Sequence, residues 1–152
     1  MQEIEQYGIF ELSLPGASGQ PPLGTFCCND RAKTITGFCE NSDCGTIRFM
    51  PESVGTWHYQ VQYNGQTHKG SFLCTPGASH GPVHSEGFHF YHADGTRFIP
   101  VGTTCYAWIH QPEDIQRQTL DTLATAPFNK IRMCVFPKSM PYNDTNPAFY
   151  PF

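Results

Sequence analysis

The sequence predicts a mainly β protein in two parts: an antiparallel β-sandwich over residues 1–78, then, over residues 79–152, a hairpin followed by a parallel strand–helix–strand. Three observations carry this. Short runs with alternating apolar positions, separated by Asn, Asp, Gly, Pro or Ser clusters, fill the first half. A turn-rich joint, Thr75-Pro76-Gly77-Ala78-Ser79-His80-Gly81-Pro82, sets a boundary between about 76 and 84. Beyond it, a helical stripe lies between two apolar runs.

Composition fits that reading. With 14% aromatic residues, 14 glycines and 13 prolines in 152 residues, the chain suits short strands and turns better than long helices. A net charge of -4 and the lack of any Lys/Arg cluster remove the electrostatic footprint of a nucleic-acid binder. Met1-Gln2-Glu3-Ile4-Glu5-Gln6 has no apolar run, so neither a signal peptide nor a membrane anchor is expected, which predicts a cytoplasmic location. The seven cysteines lack paired C-x-x-C spacing and are expected to be reduced thiols, most of them buried. His80, His84, His89 and His92 straddle the joint and the following hairpin without ligand spacing, so no metal and no cofactor are expected.

Taken in order, Tyr7 to Leu14 puts Phe10, Leu12 and Leu14 on one face and Ile9 on the other, a half-buried strand. Further strands are expected at 24–28, 33–39, 45–50, 56–63 and 67–74. Pro51 to Gly55 reads as a corner between sheets, as in immunoglobulin-like sandwiches, and Trp57 and Tyr59 alternate with His58 and Gln60 as inward positions. Tyr63-Asn64-Gly65-Gln66 predicts a tight hairpin, because Asn-Gly tolerates the positive φ values that match strand twist.

After the joint, Ala93-Asp94-Gly95-Thr96 predicts a second hairpin between Phe88-His89-Phe90-Tyr91 and Arg97-Phe98. Phe98 to Cys105 is an apolar strand candidate. From 111 to 124, Ile115, Thr119, Leu120 and Leu123 form a helical stripe, with Pro112 and two acidic residues at its start. Lys130 to Phe136 reads as a strand covered on both faces. Two parallel strands and one helix cannot close a core, and 140–152 read as loop, so the sheet or barrel is expected to continue elsewhere.

These residues resemble a family of bacterial glycoside hydrolases in which an immunoglobulin-like domain of uncharacterised role precedes an apiosidase-like (β/α)8 barrel. In the first half the likeness rests on Tyr7-Gly8-Ile9-Phe10-Glu11-Leu12, Ile47-Arg48-Phe49-Met50-Pro51, Gly55-Thr56-Trp57-His58-Tyr59 and Gly70-Ser71-Phe72. In the second half it rests on His80-Gly81-Pro82-Val83, Ala93-Asp94-Gly95-Thr96, Val101 to Trp108, and Phe128 to Pro137. The segment between Leu14 and Phe26 is shorter than the family's loop and strand.

The resemblance implies an immunoglobulin-like sandwich followed by the first βαβ unit of a truncated barrel. The carboxylates that cleave a glycosidic bond would sit on later strands, a pair about 5 Å apart for retention. This stretch alone is then expected to be inactive, with no catalytic residue of its own. Its partners would be a carbohydrate substrate in the intact enzyme and the missing remainder of the barrel, with no nucleic acid and no membrane. Tyr106, Trp108 and His110 follow the first barrel strand, where rings can stack on sugar faces. Arg132 occupies the position of an arginine that lies beneath the catalytic carboxylates in the wider superfamily, and in an apolar strand it needs an anionic or hydrogen-bonding partner. Cys105 and Cys134 are expected to be core residues. The alternatives are a stand-alone carbohydrate- or protein-binding sandwich, and a homo-oligomer in which orphan strand edges pair.

Overall fold

The computed structural model describes residues 1–16 and 19–134. It is mainly β, with several sheets and one α-helix. Backbone contacts divide the chain into two compact units between Arg97 and Phe98. The hairpin after the joint therefore belongs with the first unit, whereas the change of composition groups it with the second.

In the first unit a five-stranded sheet runs in the order β1 (Gln2–Glu5), β8 (Gln66–Thr75), β7 (Gly55–Tyr63), β3 (Leu23–Cys28) and β4 (Arg31–Thr36). A three-stranded sheet holds β2 (Phe10–Pro15), β6 (Cys44–Phe49) and β5 (Phe38–Asn41). Their inward residues meet in one cluster. Phe10 of one sheet stacks on Phe72 of the other at 4.5 Å, and Phe49 on Phe26 at 4.2 Å. Trp57, Val61 and Ile47 complete a fully buried centre. Two sheets sharing one aromatic core are consistent with a β-sandwich.

Alternation is followed closely where one face is buried. Phe10 and Leu14 are buried and Ile9 is exposed; Trp57, Val61 and Tyr63 point inward while His58, Gln60 and Gln62 are exposed. The Asn64-Gly65 turn forms as expected, with φ of 49° and 72° at its two central residues. The chain crosses between sheets at 50–54, where the Trp57 indole donates to the Ser53 carbonyl at 2.8 Å.

Three expectations change. Gln2–Glu5 is an unforeseen edge strand that pairs in parallel with β8, so the first unit is not wholly antiparallel. The strand expected at 33–39 is two strands in different sheets, parted at Gly37, whose amide donates to the Pro22 carbonyl and where any Cβ would run into the Thr46 carbonyl oxygen. The cysteines are all unpaired, but only Cys28 and Cys74 are buried, and Cys39 is exposed. Burial, with Cys28 nearby, pushes the Cys74 thiol pKa up.

A three-stranded sheet of β9 (Val83–Glu86), β10 (His89–His92) and β11 (Arg97–Phe98) follows the joint, and the Asp94-Gly95 turn closes as expected. In the second unit β12 (Gly102–Thr104) pairs in parallel with β13 (Lys130–Arg132), and α1 (Glu113–Ala124) lies between them in sequence. Glu113 and Asp114 sit in the first turn of α1 as expected, and Arg117 pairs with Glu113 at 2.7 Å. Among the described residues no helix is long and apolar enough to cross a membrane.

Burial in this unit departs from expectation. All three residues of β13 are exposed and none of α1 is buried. The strand read from Lys130 to Phe136 is thus uncovered where it is described, and Val135 and Phe136, with the loop read at 140–152, lie outside the described residues. Cys105 and Cys134 are half-buried rather than in a core.

Candidate functional site

The C-terminal ends of β12 and β13 set the geometry. The register Thr104 against Arg132 continues past the strands, with the Cys105 amide donating to the Arg132 carbonyl and the Cys134 amide to the Tyr106 carbonyl, each at 2.9 Å. At the opposite end Asn129 ties the strands together: its Oδ1 accepts from the Val101 amide at 2.8 Å and its Nδ2 donates to the Ile99 carbonyl at 2.9 Å.

This framework brings Tyr106 and Arg132 together. The guanidinium lies over the Tyr106 ring, 5.1 Å from its centre, a cation–π contact. Both residues are exposed, and Arg132 has no carboxylate partner among the described residues. The arginine expected inside a covered strand is therefore at the surface, where among the described residues its guanidinium rests on an aromatic face.

Trp108 and His110 belong to a single 3₁₀ turn, Trp108–His110, before α1. The Trp108 indole donates to the Gln116 carbonyl at 3.1 Å, so its polar edge faces α1. His110 is 3% exposed, and neither ring nitrogen has a hydrogen-bond partner among the described residues. The structure thus separates the four residues singled out in the sequence: an exposed Tyr106–Arg132 pair, an indole tied to the helix and a buried imidazole.

Two glutamines escape a sequence reading and fix this turn. Gln111 Nε2 donates to the Ala107 carbonyl at 3.2 Å, and Gln116 Nε2 to the Gln111 carbonyl at 2.7 Å. The only sequence signal is their place on either side of a helix start, where unpaired backbone groups need side-chain partners.

A second cluster lies at the joint within the first unit. His80 Nδ1 and Asp94 Oδ2 are 2.7 Å apart, and His92 Nδ1 is 2.9 Å from the Gly81 carbonyl. The His80 hydrogen bond and the Thr96 amide hold the Asp94 carboxyl down to about 2. Among the described residues no three metal-ligating side chains converge.

No family model matches the chain, and no curated protein does. Among solved structures it is similar to the crystal structure of a candidate glycoside hydrolase from Bacteroides vulgatus, with 40% identity and a TM-score of 0.89 over 100% of this chain. The chain is similar to part of a glycoside hydrolase-like protein. It spans 32% of that protein's length. The likeness covers both units, so the exposed Tyr106–Arg132 pair lies within the matched region.

Proposed function

We propose that this chain is the accessory sandwich, of immunoglobulin-like type, and the opening strand–helix–strand of an apiosidase-like (β/α)8 barrel in a glycoside hydrolase-like protein acting on carbohydrate. The observation that carries the reading is the parallel β12–α1–β13 arrangement inside a full-length match to one third of a candidate glycoside hydrolase. In barrels of this kind ligands bind at the C-terminal ends of the strands, the end at which Tyr106 and Arg132 stand exposed.

In this reading the Tyr106 ring stacks on a sugar face, and Arg132 holds either a sugar oxygen or a carboxylate of the completed site. Trp108 borders the same loop. His110 supports it from beneath, because a side chain 3% exposed reaches a sugar only if the turn opens. Bond cleavage needs two carboxylates flanking the glycosidic oxygen, and these belong to later strands of the whole protein.

The test is to assay aryl glycosides of several sugars with residues 1–152 and with the longest polypeptide from the same reading frame. The longer protein is expected to turn over at least one glycoside, and to lose at least tenfold in kcat/KM on Tyr106→Ala. Turnover by residues 1–152 alone would sink the assignment of chemistry to later strands. Full activity of the longer protein after both Tyr106→Ala and Arg132→Ala would sink the site.

A further inference from the structure

The outer face of the five-stranded sheet carries a polar track that neither the core nor the joint uses. Register places its side chains in rows across three strands: Thr25, Gln60 and Lys69 in one, and Leu23, Gln62 and Thr67 in the next, on β3, β7 and β8. His58 precedes them on β7. Two shallow hollows open on these rows, one of 490 Å³ over Thr25, His58, Gln60 and Lys69, the other of 630 Å³ over Leu23, Gln62, Thr67 and the Asn64-Gly65 turn. From His58 to Gln62 the track runs roughly 13 Å along β7.

Its chemistry narrows what it fits. His58, Gln60, Gln62, Thr67 and Lys69 project exposed from the sheet, and their side chains have no hydrogen-bond partner among the described residues. The rows contain no carboxylate, one cation and one apolar side chain, Leu23. Protein-binding patches centre on clustered aromatic and apolar anchors, whereas these rows hold no aromatic and a single apolar side chain, Leu23. Nucleic acid needs a cluster of cations, and there is one. Amides, hydroxyls and an imidazole in line offer the alternating donors and acceptors that a chain of sugar hydroxyls requires.

We infer that the His58–Gln60–Gln62 track is a binding site for a neutral polysaccharide chain lying along β7, separate from the Tyr106–Arg132 pair. The inference rests on the carbohydrate reading above, and gives the sandwich a role in holding polymer. A shallow site of this polarity predicts weak binding, with Kd of roughly 0.1–1 mM.

Affinity electrophoresis and calorimetry of residues 1–152 against xyloglucan, galactomannan, xylan, arabinogalactan and mixed-linkage β-glucan test it. At least one polymer is expected to bind. Gln60→Ala with Gln62→Ala is expected to weaken that binding at least tenfold without moving the thermal midpoint, while Glu86→Ala, at an exposed position of β9, leaves it unchanged. Loss on Tyr106→Ala but not on the glutamine double variant would overturn this inference and leave the proposed function standing. Retention of none of the five polymers at 10 g/L (about the top of a practical range for Kd near 1 mM) would overturn it. So would self-association in sedimentation that the double variant abolishes, since the face would then be a contact between copies.

Discussion

The two units spend their apolar residues differently. The first buries Phe10, Phe26, Phe49, Trp57 and Phe72 in one cluster. The second, where described, leaves Ile99, Leu120, Phe128, Ile131 and Met133 exposed, and its buried His110 has no hydrogen-bond partner among the described residues. Both contain regular strands joined by good backbone hydrogen bonds, so secondary structure alone does not separate them. What separates them, among the described residues, is whether a facing layer covers the sheet. The first unit packs a second sheet on its first, whereas the described part of the second unit has one two-stranded sheet and one helix, and a sheet face or helix stripe is buried only against another layer.

The largest expected effect breaks the comparison at its centre. Trp57→Ala should cost about 3–5 kcal/mol, because a 1% exposed indole contacting Phe49 leaves a cavity that rigid sheets cannot close. Leu120→Ala, at a residue 51% exposed, should change stability by no more than about 0.5 kcal/mol. Urea unfolding of the two variants, followed by tryptophan fluorescence for the leucine and by circular dichroism for both, measures the contrast. Equal costs would mean that the second unit has a core of its own.

Gly37→Ala probes the crossing between sheets. The added methyl would meet the Thr46 carbonyl oxygen, a backbone atom of the neighbouring strand that cannot swing aside. A loss of about 1–3 kcal/mol in the same urea titration is expected. Gly65→Ala meets no atom within 4 Å but sits at φ of 72°, so its smaller cost comes from backbone strain alone.

Thiol labelling sharpens the comparison without mutation. Cys39 is exposed and should react first with iodoacetamide; Cys105 and Cys134, half-buried in the second unit, should follow; Cys28 and Cys74 should react only as the first unit unfolds. Mass spectrometry of tryptic peptides over a time course reads the order. Labelling of Cys74 before Cys105 would reverse the ranking of the two units.

These contrasts also explain what the sequence could and could not convey. Asn64-Gly65 and the alternation around Trp57 were legible because each is set within a few residues. The edge strand Gln2–Glu5 was not, since Ile4 is its one apolar residue and its place is fixed by backbone pairing with Phe72 to Thr75. The break at Gly37 depends on a carbonyl from another strand, and 33–39 looks continuous without it. At the candidate site, the parallel pairing of β12 with β13 could be read. The stacking of Arg132 on Tyr106, the anchoring of Trp108 by Gln116 and the burial of His110 could not, because each depends on how a turn folds back on its own helix or strand.

The smallest expected effect lies at the joint, where the polar contacts are exposed and worth little individually. Asp94 accepts from His80 and, through Oδ1, from the Thr96 amide at 2.9 Å, and these contacts hold its carboxyl down to about 2. A carboxyl whose folded value is depressed stabilises the fold above its unfolded value, about 3.9, and loses that contribution as pH falls through the folded value. The Asp94–Thr96 turn should therefore hold at pH 5 and loosen as the pH approaches 2, while the Asn64-Gly65 turn, which has no carboxylate, stays unchanged. Amide shifts and exchange rates of Gly95 and Thr96 against those of Gly65 and Gln66 provide the measurement. Asp94→Asn should leave the Gly95 and Thr96 signals flat across the same range; a persistent acid transition in that variant would assign the loosening to another group.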